Sequence, residues 1–150
     1  MKYLERNKNI NRGFRKLEIW LESTMLFDFV KKKIDASDKL SFKTKAQIED
    51  SSLSISSNIA EGYGRRFIRE NIQFNNIALG SLAENYSQIY NLYNAGIIDE
   101  EWFNEYDKKH YSIENKLIKF NKSQVEILKN KGKWKDDYQV KEIIHGYYSD

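Results

Sequence analysis

Not one of the 150 residues is proline. Proline breaks a helix by removing an amide donor and by clashing with the preceding turn, so nothing of that kind limits helix length here. Apolar residues recurring every three and four positions then mark out four helices. The first is expected over residues 12–34, with Phe14, Leu17, Leu21 and Thr24 on its inner face and Trp20 and Phe27 at the shoulder. Lys31, Lys32 and Lys33 fall in its last turn, where cations complement the helix dipole. Asp35, Ala36, Ser37 and Asp38 read as a turn.

The second helix is expected over residues 44–64, with Thr44 and Gln47 as a capping box. Its inner stripe, Ile48, Ser52, Ile55, Ile59 and Gly62, is small, so a partner helix can approach closely. Gly62 and Gly64 are expected to end or loosen it. The third, over residues 69–94, sets Phe74, Ile77, Ala78, Ser81, Asn85, Gln88 and Leu92 on one face. Asp99 is placed to cap the fourth, over 99–129, which carries Trp102, Phe103, Tyr106, Ile113, Leu117, Phe120 and Leu128. Short connections between long helices imply antiparallel neighbours, and so an all-α, up-down four-helix bundle in a single domain. The segment 130–150 is a C-terminal extension. Its Trp134, Tyr138, Ile143, Ile144, Tyr147 and Tyr148 suit a short fifth helix or an arm on a neighbouring subunit.

Composition narrows the function. With no cysteine, disulfides, thiolate metal sites and a cysteine nucleophile are excluded. No apolar run reaches the roughly 20 residues of a membrane span, and residues 1–8 have no apolar signal-peptide region, so a cytoplasmic location is expected. His110 and His145 have no local ligand spacing, and there is no phosphate-binding loop, dinucleotide turn or nucleophile elbow. No metal, cofactor or enzymatic activity is expected.

Charge is more suggestive. Residues 1–75 carry 15 basic and 10 acidic side chains, whereas residues 76–150 carry 10 and 12. Basic segments at Arg12, Arg15, Lys16, at Lys31, Lys32, Lys33, and at Arg65, Arg66, Arg69 lie near Phe14, Trp20, Tyr63 and Phe67. Cations interleaved with rings suit structured or single-stranded RNA; solvated helix ends beside core aromatics are the plainer alternative. On the second helix Ser54, Asn58, Glu61 and Arg65 line up as a polar shoulder, with Glu61 and Arg65 spaced for an ion pair. That shoulder is read as a hydrogen-bonded seam fixing helix register or a subunit interface, in preference to a partner contact. Glu84 is expected at the edge of the third helix, facing Glu61 or Arg65.

Two segments carry a more specific signal. Ile55-Ser56-Ser57-Asn58-Ile59-Ala60-Glu61-Gly62 and Ala78-Leu79-Gly80-Ser81-Leu82-Ala83-Glu84 together resemble the signature of proteins encoded in intervening sequences of 23S ribosomal RNA genes. The likeness covers most of residues 12–128. It implies an antiparallel four-helix bundle that assembles into a ring-like homopentamer, associates with RNA and has no established enzymatic activity. A related branch serves diversity-generating retroelements by binding a reverse transcriptase and its RNA. Two departures stand out: Ser56 replaces the usual proline, which implies a straighter second helix, and Glu49-Asp50 stands where relatives often carry a basic pair. If RNA binds, the helix-end clusters Arg12, Arg15, Lys16 and Arg65, Arg66, Arg69 are the expected contacts, and repetition round a ring would multiply them. The segments Ser54–Gly62 and Gly80–Glu84 would hold the bundle or its interfaces.

Overall fold

A computed structural model describes residues 9–131. The side chains of Ile10 and Lys131 are not described, and the C-terminal extension beyond Lys131 lies outside the described residues. The chain runs through a 3-10 helix (Ile10–Lys16), α1 (Glu18–Ala36), α2 (Phe42–Gly64), α3 (Ile68–Asn94) and α4 (Glu100–Lys131).

Cross-helix contacts fix the directions. Ser51 meets Gln88, Ser54 meets Ser81, and Gly62 lies against Asn71 and Phe74. Numbers rise along α2 as they fall along α3, so the pair is antiparallel. Leu82 with His110, Asn85 with Tyr106 and Asn75 with Asn121 show the same for α3 and α4. Glu22 with Ser112 and Glu18 with Lys116 show it for α1 and α4. The expected up-down bundle of four helices is therefore the fold.

The core is aliphatic. Ile48, Ile55 and Ile59 from α2 are buried with Leu26 and Val30 from α1, Ala78, Leu82 and Ile89 from α3, and Ile113 and Leu117 from α4. Each fully buried branched side chain contributes on the order of 2 kcal/mol. The α2 stripe lies inside as its spacing predicts, and α2 continues unbroken through Ser56. Gly62 shows why the stripe is small: a Cβ there would sit 2.6 Å from the Cβ of Phe74 and 3.3 Å from the carbonyl oxygen of Asn71.

Several local expectations are corrected. The first helix is interrupted at Leu17, whose extended backbone (φ −71°, ψ 124°) separates the 3-10 helix from α1. Its inner face is Ile19, Ser23, Leu26, Val30 and Ile34, rotated from the anticipated Phe14–Leu21–Thr24 stripe. Phe14 belongs to the 3-10 segment and meets Trp20 edge-on, with ring centroids 5.2 Å apart. On α3, Ile77 is exposed while Asn71, Asn75, Leu82 and Ile89 are buried. The N-cap of α2 is Ser41, whose hydroxyl accepts from the amide of Thr44 at 3.1 Å, so α2 begins before Thr44. Asp99 does cap α4, accepting from the Trp102 amide at 2.8 Å. No described helix is long and apolar enough to cross a membrane.

Candidate nucleic-acid interface

The break at Leu17 allows the 3-10 helix to lie across the end of α2. There Gly13 faces Tyr63 so closely that a Cβ on it would stand 2.8 Å from the phenol oxygen. Arg66, in the turn between α2 and α3, donates from Nε and Nη2 to Asn11 Oδ1 at 3.0 and 2.9 Å. Two basic segments a third of the chain apart, Arg12–Lys16 and Arg65–Arg69, are thereby joined at one end of the bundle. The turn is made by Arg66, with φ +69°, so a non-glycine residue takes the left-handed conformation just after the glycines that were expected to end or loosen the helix. Such a backbone is uncommon for an arginine, and the hydrogen bonds to Asn11 hold its side chain.

The cations at this end are not equivalent. Arg65 is answered by Glu61 at 3.1 Å and Glu70 at 3.3 Å, and its guanidinium lies 4.9 Å from the Phe74 ring centroid. Hydrogen bonds to Glu61 and then Glu70 raise its pKa further. Arg65 thus stabilises the turn. Arg12, Lys16 and Arg69 are exposed, and Arg15 is half-buried with Nε donating to the Arg12 carbonyl at 3.2 Å. Among the described residues neither Arg12 nor Lys16 has an ion-pair partner. The same end receives the last turns of α4, adding Lys119, Lys122 and Lys129, which sequence spacing did not connect with the other basic segments.

The opposite end differs. Lys31 pairs with Asp35 and Glu49, Lys32 with Asp28, and Lys33 approaches Asp99 at 3.7 Å. Hydrogen bonding to Asp35 leads the rise in the Lys31 pKa. Glu49, anticipated as a departure weakening RNA contact on this face, here answers Lys31. Around the start of α4 stand Asp99, Glu100, Glu101 and Glu105. The bundle is therefore charged asymmetrically along its axis.

The polar shoulder of α2 is a seam. Ser54 and Ser81 share a hydrogen bond of 2.8 Å, and Asn58 turns back on Ser54, donating to its Oγ at 2.9 Å and carbonyl at 2.8 Å. Ile55, Ile59 and Gly62 are buried, and Glu61 pairs with Arg65 as spacing predicts. Gly80 is exposed, and a Cβ there would meet nothing within 4 Å, so it takes no part in the α2–α3 contact. Glu84 does not face Glu61 or Arg65. Antiparallel pairing carries it toward the first half of α2, and on its own helix it accepts from Gln88 Nε2 at 3.5 Å.

Sequence spacing missed a buried relay. Tyr106 donates to Asn85 Oδ1 at 2.7 Å, Asn85 to Ser51 at 3.0 Å, and Ser51 to Gln88 Oε1 at 2.6 Å. Burial raises the pKa of Tyr106 strongly. Buried His110 contacts the Leu82 carbonyl through Nε2 at 2.7 Å and lies 3.7 Å from Glu114. Among the described residues no group of three or more His, Asp or Glu is placed to hold a metal.

The arrangement of seam and bundle is accompanied by a family match. The family model for 23S rRNA-intervening sequence proteins aligns with residues 15–119, from the 3-10 helix into α4. This chain belongs to that family. Among curated proteins no match was found. For this 23S rRNA-intervening sequence protein the matched span takes in both seam segments and the Arg65–Arg69 turn, while Arg12 precedes it and Lys122 and Lys129 follow it.

Proposed function

We propose that this protein is a non-enzymatic, oligomeric RNA-associated bundle that meets RNA through its basic end. The observation that carries this reading is the convergence of Arg12, Arg15 and Lys16 with Arg66 and Arg69, supported by the Arg66–Asn11 hydrogen bonds. Cations held on a rigid end lose little freedom on meeting a phosphate backbone, and counterion release supplies the affinity. Self-assembly into a ring, such as a homopentamer, would set several such ends on one face and raise the local concentration of sites for one strand. The outward side of α2 and α3, with Leu53 and Ile77 exposed beside Gly80, is the surface suited to contact between copies.

Fluorescence anisotropy with a structured ribosomal-RNA fragment and a matched DNA duplex, across a salt series, tests the proposal. RNA-preferring affinity that falls steeply with salt is expected, with charge reversal at Arg66 and Arg69 reducing the slope by about one per lost phosphate contact. No binding at low salt would overturn it. The second reading is a protein scaffold, with a reverse transcriptase as one partner. The exposed apolar residues on α2 and α3 favour it, and salt-insensitive capture of such an enzyme without RNA would support it.

A further inference from the structure

A groove of about 670 Å³ runs along the outer seam of α3 and α4 near the basic end. Four aliphatic side chains line it: Ile72 and Leu79 from α3, Ile118 and Val125 from α4. On α3 the positions 69, 72, 76 and 79 share one helix face, so Arg69 of the basic end stands directly above Ile72, Asn76 and Leu79. On α4, Lys122 and Lys129 border the groove, and among the described residues neither has an ion-pair partner. Glu126 is the one acid in the lining.

The polar part of the groove is organised from inside. Asn121, nearly buried, donates to Asn76 Oδ1 at 2.9 Å and accepts from Asn75 Nδ2 at 2.9 Å. The carbonyl of Asn76 is thus engaged, and its exposed amide nitrogen remains as a donor. Around Asn121, buried Asn75 Oδ1, Asn71 Nδ2 and Gln124 Oε1 have no hydrogen-bond partner among the described residues. Polar atoms so deeply placed are ordinarily satisfied.

We propose that this groove receives one unstacked base of an RNA strand, with Arg69, Lys122 and Lys129 meeting the flanking phosphates. The inference rests on the RNA-binding reading above. Aliphatic walls can enclose the two faces of a base, a side-chain amide can bond its edge, and the groove is roomy enough to admit one. A helix from a protein partner would use the aliphatic walls but not the convergence of three cations.

The test uses the full chain with a single-stranded ribo-oligonucleotide carrying one 2-aminopurine, and a hairpin duplex as reference. Binding is expected to change the 2-aminopurine emission. Val125→Trp, which fills the groove, should abolish that change and weaken single-strand affinity about tenfold, leaving duplex affinity intact. Asn76→Leu, at an exposed position, should alter preference among bases and serves if Val125→Trp does not fold. Unchanged emission on binding, or equal single-strand affinity for wild type and both variants, would overturn the groove proposal while leaving the RNA reading standing. Failure of the wild type to bind either RNA would overturn both. A change in oligomer mass for Val125→Trp without RNA would assign the groove to a protein contact and overturn the proposal.

Discussion

Two buried polar layers lie in the same bundle and are built differently. In the middle, Tyr106, Asn85, Ser51 and Gln88 form a continuous donor-to-acceptor relay across α4, α3 and α2. At the basic end, Asn71, Asn75, Asn121 and Gln124 form a second layer in which several amide atoms find no partner among the described residues. Satisfied networks specify one packing arrangement, whereas incompletely satisfied ones cost stability without that return. The middle layer thus acts as a register lock, and the end layer contributes less to fixing the packing around it.

The sharpest way to break this contrast is to delete one amide from each layer. Asn85→Leu would take the acceptor from the buried Tyr106 hydroxyl, at a cost of about 3 kcal/mol, whereas Gln124→Leu should be close to neutral, because its Oε1 already has no partner among the described residues. Urea midpoints compared at equal m-value decide the matter, and equal losses would erase the distinction. A smaller effect is expected at high pH. Burial raises the Tyr106 pKa above its ordinary value of 10, so the folded state retains the proton that the unfolded chain gives up. Its stabilising contribution is complete below pH 10 and is lost as pH rises toward the folded value. Tyr106→Phe should therefore flatten the alkaline fall in stability seen by thermal melting. The smallest effect is the exposed cap: Ser41→Ala should cost about 1 kcal/mol by removing the acceptor for the Thr44 amide. A loss larger than that from Tyr106→Phe would show that helix ends, not the middle layer, dominate stability.

Helix number, the α2 stripe and the Asp99 cap were legible because each depends on residues close in sequence. The face of the first helix was not. The Leu17 break shifts the phase of the helical pattern, and aromatic Phe14 drew the inner stripe toward itself. Asn85 was placed on the inner face of the third helix, but the buried Asn71, Asn75 and Asn121 were illegible for a different reason, since an amide looks solvent-facing until its partners on other helices are known. The basic residues were visible, yet their local spacing could not show that Arg65 is neutralised by Glu61 and Glu70. Nor could it join Lys122 and Lys129 to Arg69. Glu84 was misplaced because antiparallel pairing sends it toward the first half of α2.

The Arg66–Asn11 contact spans 55 positions of sequence. Closing so long a loop carries an entropic cost that is recovered only after the intervening helices have packed. During synthesis, Arg12 and Lys16 leave the ribosome well before the turn that completes their surface. A nascent chain therefore displays scattered cations first and an assembled basic end only once α2 is finished, which ties the appearance of that charged surface to the folding of the bundle itself.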